Sequence, residues 1–149
     1  TIKVDYEAWG LRVEIDDLPK LFMTIPDAEK YWLTAETSRP ETISYLRRNG
    51  FPRIAPALKG ARSLEEGVEF LKGYDLIVHP RCQHLIDELS HYSYKTDPLT
   101  GQVLGVLQDK DNHVIDSLRY AVEGARRAMQ AKPKVAAFTI PSTVTAWSR

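Results

Sequence analysis

The sequence predicts an α/β domain built on a parallel sheet with an antiparallel margin, and three observations carry that expectation. Short strand-like runs at 31–36, 52–57 and 74–78 alternate with stretches of helical period, giving strand, helix, strand, helix, strand, helix. The run from Tyr74 to Val78 reads as a strand covered on both faces. Two further runs, Tyr92–Lys95 and Gln102–Val106, flank Asp97-Pro98-Leu99-Thr100-Gly101, a turn-forming segment with Pro and Gly where a hairpin needs them.

In chain order, residues 1–9 alternate, with Ile2, Val4, Tyr6 and Ala8 on one side and Lys3, Asp5 and Glu7 on the other, which predicts a half-buried antiparallel strand. Asp16, Asp17 and Pro19 open a short helix that turns Leu18, Leu21 and Phe22 inward. After the strand at 31–36, Ser38-Arg39-Pro40-Glu41 reads as a capping box; Ile43, Tyr45 and Leu46 form the inner face of its helix, and Asn49-Gly50 stops it. Ser63-Leu64-Glu65-Glu66 is a second capping box, followed by Leu64, Val68 and Leu71 at helical spacing up to Gly73. His79-Pro80 leads into a helix carrying Leu85, Ile86 and Leu89 inward. The last helix spans 112 to about 128, capped by Asp111 or Asn112, with Val114, Ile115, Leu118, Ala121, Val122 and Ala125 on its apolar stripe. Lys132-Pro133-Lys134 breaks the pattern, so the expectation is one domain over residues 1–130 and a C-terminal tail over 131–149.

Composition narrows the function only by exclusion. A chain of 149 residues with 43% hydrophobic and 27% charged residues is long enough for one domain with its own core, and no apolar run approaches the ~20 residues that cross a bilayer. Neither a membrane partner nor a signal segment is expected. The single cysteine, Cys82, excludes an internal disulfide, suits a reducing cytosol, and is expected to be a small packed side chain. Twenty Lys plus Arg balance twenty Asp plus Glu, so nucleic-acid binding would need a local basic patch.

Within the last helix, His113 and Asp116 lie three residues apart and, with Tyr120, share a face, so imidazole and carboxylate address one point in space. The plain alternative is a capping acid beside a surface histidine. Glu36 is expected at the C-terminal tip of a strand just before a helix, the edge of an α/β sheet where ligands usually bind. Arg39, Lys59 and Lys95 are candidate phosphate contacts against a background of ordinary surface charge. Arg126, Arg127 and Lys132 are expected to favour the C-terminal end of their helix. His79, His84, Asp87, Glu88 and His91 lack a zinc signature such as HExxH and read as a solvated polar face.

DKDNHVIDSLRYA, taken with YSYKTDPLTGQVL, TSRPETISYLRRNGF, KGARSLEEGVEFLKGY and IVHPRCQHLIDEL, resembles the nuclease domain of the large terminase subunit of tailed double-stranded DNA bacteriophages. The resemblance runs in order over about residues 1–128. It implies a ribonuclease H-like fold: a mixed sheet with a parallel core, flanking helices and an extra β-hairpin. It also implies two divalent cations, Mg²⁺ or Mn²⁺, and endonucleolytic cutting of concatemeric viral double-stranded DNA during headful packaging in the host cell cytoplasm. Portal protein and the small terminase subunit are the further partners it implies. Hydrolysis by two metal ions needs carboxylates converging on cations ~4 Å apart. Glu36 and Asp116 are placed for this, and the resemblance carries over to both and to His113.

Two departures stand out. The family normally has Asp where this chain has Glu36, which keeps the charge one methylene farther out. The family's first strand carries a further metal-binding Asp, whereas IKVDYEAWG matches the third strand, so weak metal binding and poor cleavage are expected. Asp5 sits in that later strand and is expected to face solvent. No GxxxxGK[ST] loop occurs in the chain, so an ATP-driven motor is not expected in it. The rival expectation is a catalytically incomplete domain of the same fold that binds DNA or portal protein.

Overall fold

The computed structural model describes residues 1–58, 60–92, 94–107 and 112–131. Lys59, Asp111 and residues 132–149, and with them almost all of the expected tail, lie outside the described residues. The elements are β1 (Ile2–Val4), α1 (Leu18–Phe22), β2 (Leu33–Ala35), α2 (Pro40–Arg48), β3 (Ile54–Pro56), α3 (Ser63–Lys72), β4 (Leu76–Val78), α4 (Gln83–His91), β5 (Tyr94–Thr96), β6 (Val103–Leu107), α5 (His113–Ala121) and α6 (Glu123–Gln130). Single 3-10 turns precede α1 and β2.

The strands pair two by two. β1 runs parallel to β4, with Ile2 opposite Leu76 and Val4 opposite Val78. β2 runs parallel to β3, Leu33 opposite Ile54, while β5 and β6 form the expected antiparallel hairpin. The antiparallel expectation for the first strand is therefore corrected: its partner follows only after three helices, and a connection of that length permits parallel pairing. β4 is not covered on both faces. Leu76 and Val78 are half-buried, but Ile77 between them is 53% exposed, because only the Val78 side packs on a core.

Two cores result. One gathers Ala28, Ile43, Leu46, Phe51 and Ile54, with Phe22 packed edge-on to Phe51 at 5.5 Å. It binds α2 to the β2–β3 pair, as the 3.6-residue recurrence of Ile43 and Leu46 predicts. The other gathers Cys82, Leu85 and Ile115, with Val4, Val78 and Leu118 against it. Cys82 is the packed side chain expected of it, and burial pushes its thiol pKa up.

Neither capping box forms. Arg39 is the residue before α2, and Ser38 turns back to Glu36, whose carboxylate accepts from both its amide, at 2.7 Å, and its hydroxyl. A negative acceptor two residues upstream outcompetes the neutral hydroxyl-to-amide cap. At α3 the preceding residue is Arg62, in the left-handed region at φ 65°, and Glu66 pairs instead with Arg126 at 2.6 Å.

The last predicted helix is two. α5 ends and α6 begins around Val122 (φ −90°, ψ 0°), and the stripe at 121 and 125 is exposed. Arg119, Glu123 and Arg126 are buried in its place, because each meets a polar group of another segment: the Ser63 carbonyl, the Leu58 amide and the Glu66 carboxylate. Arg126 thus pairs across the fold and does not serve the helix end, while Arg127 binds Glu123 and the Leu58 carbonyl.

Candidate metal and nucleic-acid site

One cleft of about 500 Å³ collects the acidic candidates. Glu36, Ser38 and Arg39 reach it from the link between β2 and α2, and His113, Asp116 and Tyr120 reach it from α5. The shared face of residues 113, 116 and 120 is thus turned toward the tip of β2, as the helical spacing required. Lys95 is exposed on the hairpin and is not among the residues that line this cleft. Asp5 is exposed on the first strand segment, as expected.

Local contacts fix the orientation of each group. Glu36 follows β2 directly and is held through Oε2 by Ser38. α5 begins at His113 because Glu88, on α4, accepts the amides of Val114 and Ile115 at 2.8 Å each. A carboxylate there satisfies two of the four unpaired amides of the first turn and meets the positive end of the helix dipole. Glu88 is therefore part of the scaffold of the site, which corrects its reading as one of a solvated polar face.

Glu7 does the same for α4, accepting the amides of His84 at 2.9 Å and Leu85 at 3.0 Å and lying 3.0 Å from His84 Nδ1. Burial pushes the Glu7 carboxyl upward in pKa, but the two amides and the imidazole outweigh it and hold it below the ordinary carboxylate value. His84 in turn stacks on Trp9 at 4.8 Å, and Trp9 faces His113 at 6.4 Å with rings 28° apart. A column of side chains thus runs from Glu7 to the edge of the cleft.

Asp116 has a partner that the sequence reading passed over. Arg119 donates to its Oδ1 from Nε at 3.1 Å and from Nη2 at 2.8 Å. The signal was available, since Asp116 and Arg119 repeat the same three-residue spacing as His113 and Asp116. Glu7 and Glu88 left no such trace, because their partners lie 77 and 26 residues away.

The two carboxylates on the cleft suit a hard divalent cation in kind, and the imidazole beside them is a borderline donor. They fall short in number: among the described residues, no three His, Cys, Asp or Glu side chains gather closely enough to hold a metal ion. Beside the cleft lies a second groove of about 370 Å³, more apolar, that shares Phe22, Leu33 and His113 with it and adds Trp9 and Trp32. Among the described residues no helix is long and apolar enough to cross a membrane.

Comparison with known proteins bears on the fold and the family. Residues 24–124 match the family model described as terminase RNase H-like domain. The large terminase subunit of Bacillus phage SPP1 is 37% identical over 94 residues, which cover 61% of this chain and 22% of that protein. A crystal structure of the large terminase nuclease domain from bacteriophage SPP1 with bound Mn superposes with a TM-score of 0.68 at 32% identity, covering 76% of this chain and 65% of that one. The chain thus spans less than two thirds of either relative. The fold is ribonuclease H-like, and with more than half its length matched by the family model, the chain belongs to the family of terminase RNase H-like domains.

Proposed function

We propose that this chain is a nuclease domain of a phage DNA-packaging terminase, a metal-dependent endonuclease that cuts concatemeric viral double-stranded DNA in the host cell cytoplasm. The observation that carries this reading is the single cleft onto which β2–α2 and α5 bring Glu36, Arg39, His113 and Asp116. Glu36 and Asp116 are the residues that would hold divalent cations, Mg²⁺ or Mn²⁺; the Mn of the SPP1 domain supports a divalent ion of this class. The chemistry such ions would supply is Lewis acidity: a lower pKa for the water that is deprotonated to become the nucleophile, and stabilisation of negative charge on the leaving oxygen.

The protein's own groups do the rest. Arg39, in the cleft lining beside Glu36, offers a phosphate contact that fixes the backbone of the substrate without reading its sequence. Lys59 and Lys95 are the further candidates for that contact. His113, one helical turn from Asp116, orients a carboxylate or a water at the cleft edge. The portal protein and the small terminase subunit are the further partners in this reading.

A second reading has one observation in its favour. The described residues gather no three-ligand metal group, which fits a catalytically incomplete domain that binds DNA or portal protein. Plasmid digestion separates the two, with Mn²⁺, Mg²⁺, Ca²⁺ or chelator and the SPP1 nuclease domain as positive control. The nuclease reading expects cleavage with Mn²⁺ that chelator stops and that Asp116→Asn abolishes at unchanged circular dichroism. Retarded plasmid migration without nicking, indifferent to Asp116→Asn, would establish the binding module.

A further inference from the structure

We propose that Arg119 is the positioning residue of this site: from a buried seat against Gly67 it grips one oxygen of Asp116 and so fixes which oxygen the carboxylate offers to a divalent cation. The inference rests on the reading of Asp116 as a metal-holding carboxylate and adds a residue to it.

The geometry is asymmetric. The Arg119 side chain is 7% exposed and that of Asp116 30%, so the guanidinium is the fixed end of the pair and the carboxylate the end that meets the cleft. Nε and Nη2 both donate to Oδ1, and Nη1 reaches the Ser63 carbonyl at 3.4 Å, anchoring the fork to the start of α3. Both donors fall on Oδ1, so Arg119 itself does not engage Oδ2. Two charge-assisted donors from one planar guanidinium converge on Oδ1 and hold that oxygen in place, a fork that a lysine, being a point charge, does not supply. Tyr120, whose ring centroid is 5.1 Å from Arg119 Cζ, packs beside the fork and lines the same cleft as Asp116.

Gly67 is the second half of the device. A glycine inside a helix costs about 1 kcal/mol relative to alanine, so a reason for it at the middle of α3 is needed. A Cβ at this position would stand 2.9 Å from Arg119 Cδ and 3.2 Å from its Cγ. The bare backbone is what lets the arginine stem lie flat between α3 and α5. A void of about 10 Å³ remains there, lined by Ser63, Gly67, Arg119, Tyr120 and neighbouring side chains.

An arginine that merely tied α5 to α3 through the Ser63 carbonyl would affect stability and nothing else. Positioning makes a different prediction, which Mn²⁺ binding followed by electron paramagnetic resonance can read without any cleavage. Arg119→Lys keeps the charge and loses the fork; Gly67→Ala keeps the arginine and displaces its stem. Each should weaken Mn²⁺ binding by about tenfold, which corresponds to about 1.4 kcal/mol, in protein shown to be folded by circular dichroism. In an Asp116→Asn background, already weak, neither should have a further effect. In parallel, the Arg119 Nε–H resonance should be shifted downfield and slow to exchange in the parent, and should lose both properties in Asp116→Asn. Mn²⁺ affinity unchanged in folded Arg119→Lys and folded Gly67→Ala overturns the inference, while affinity in the parent that is absent or indifferent to Asp116→Asn overturns the metal reading beneath it. Should one variant fail to fold, the other and the resonance decide.

Discussion

Phe51 and Leu85 are both fully buried, yet the surroundings that bury them differ. Around Phe51 the core is apolar and drawn from nearby sequence: Ala28, Ile43, Leu46 and Ile54, with Leu18, Phe22 and Leu33 against them. Around Leu85 the fully buried apolar cluster is smaller, Cys82, Leu85 and Ile115, and the side chains against it, Val4, Val78, Tyr92, Val114 and Leu118, come from segments far apart in sequence. Charged groups surround it: Glu7 and Glu88 cap the two helices that supply Leu85 and Ile115, and buried Arg119, Glu123 and Arg126 join the later helices to α3 and the loop after β3. The difference teaches how the site is made. Glu36 comes from the apolar half, where apolar burial and strand pairing set the position of β2 and α2, while His113 and Asp116 come from the charged half, where side-chain caps and ion pairs set the start and rotation of α5. On the proposed metal reading, the cleft wall needs side chains held at defined angles, and hydrogen-bonded carboxylates supply angles that apolar contact does not.

The contrast is testable in descending order of effect. Phe51→Ala should cost about 3–5 kcal/mol, the range for truncating a large buried aromatic side chain. Urea denaturation measures it, and hydrogen exchange should quicken in α2 and β3 first. If α4 and α5 lose protection equally early, the two halves are one cooperative unit and the distinction fails.

Glu88→Ala should cost about 1–2 kcal/mol, the range for removing a helix cap, because two amides of α5 lose their acceptor. Exchange at Val114 and Ile115 should rise while α2 stays protected, and His113 should lose its fixed place beside Trp9. Unchanged exchange at both amides would show that Glu88 is not the cap.

Ser38→Ala removes the hydroxyl donor to Glu36 and should cost no more than about 0.5–1.5 kcal/mol. Its readout is Mn²⁺ affinity: a change there at nearly constant stability would show that Ser38 serves the site more than the fold.

The smallest effect concerns acid. The Glu7 carboxyl is held below its ordinary value in the folded chain, so the folded state binds fewer protons there than the unfolded one. Its contribution is complete above the ordinary carboxylate pKa of about 4 and is lost as pH falls from there through the depressed folded value. Amide resonances of His84 and Leu85 should shift in that window, with α2 unaffected. A Glu7→Gln chain that shows the same acid transition at those amides would assign it elsewhere.

The sequence by itself determined the alternation of helices and strands, the order of elements, the apolar faces of α2 and α5, and the shared face of His113, Asp116 and Tyr120, because these depend on local periodicity that neighbours in sequence impose. It also carried the strings by which the resemblance to large terminase nuclease domains was read. Tertiary structure alone decided which acids are structural and which face the cleft. Glu7 and Glu88 read as surface charges, yet each is a cap for a helix it does not belong to; Ser38 and Ser63 read as caps and are not. The parallel pairing of β1 with β4 and the burial of Arg119, Glu123 and Arg126 were likewise beyond local pattern. The physical reason is common to all of them. A charged side chain is buried only where a complementary group arrives, and the group that arrives comes from a segment whose approach no window of sequence contains.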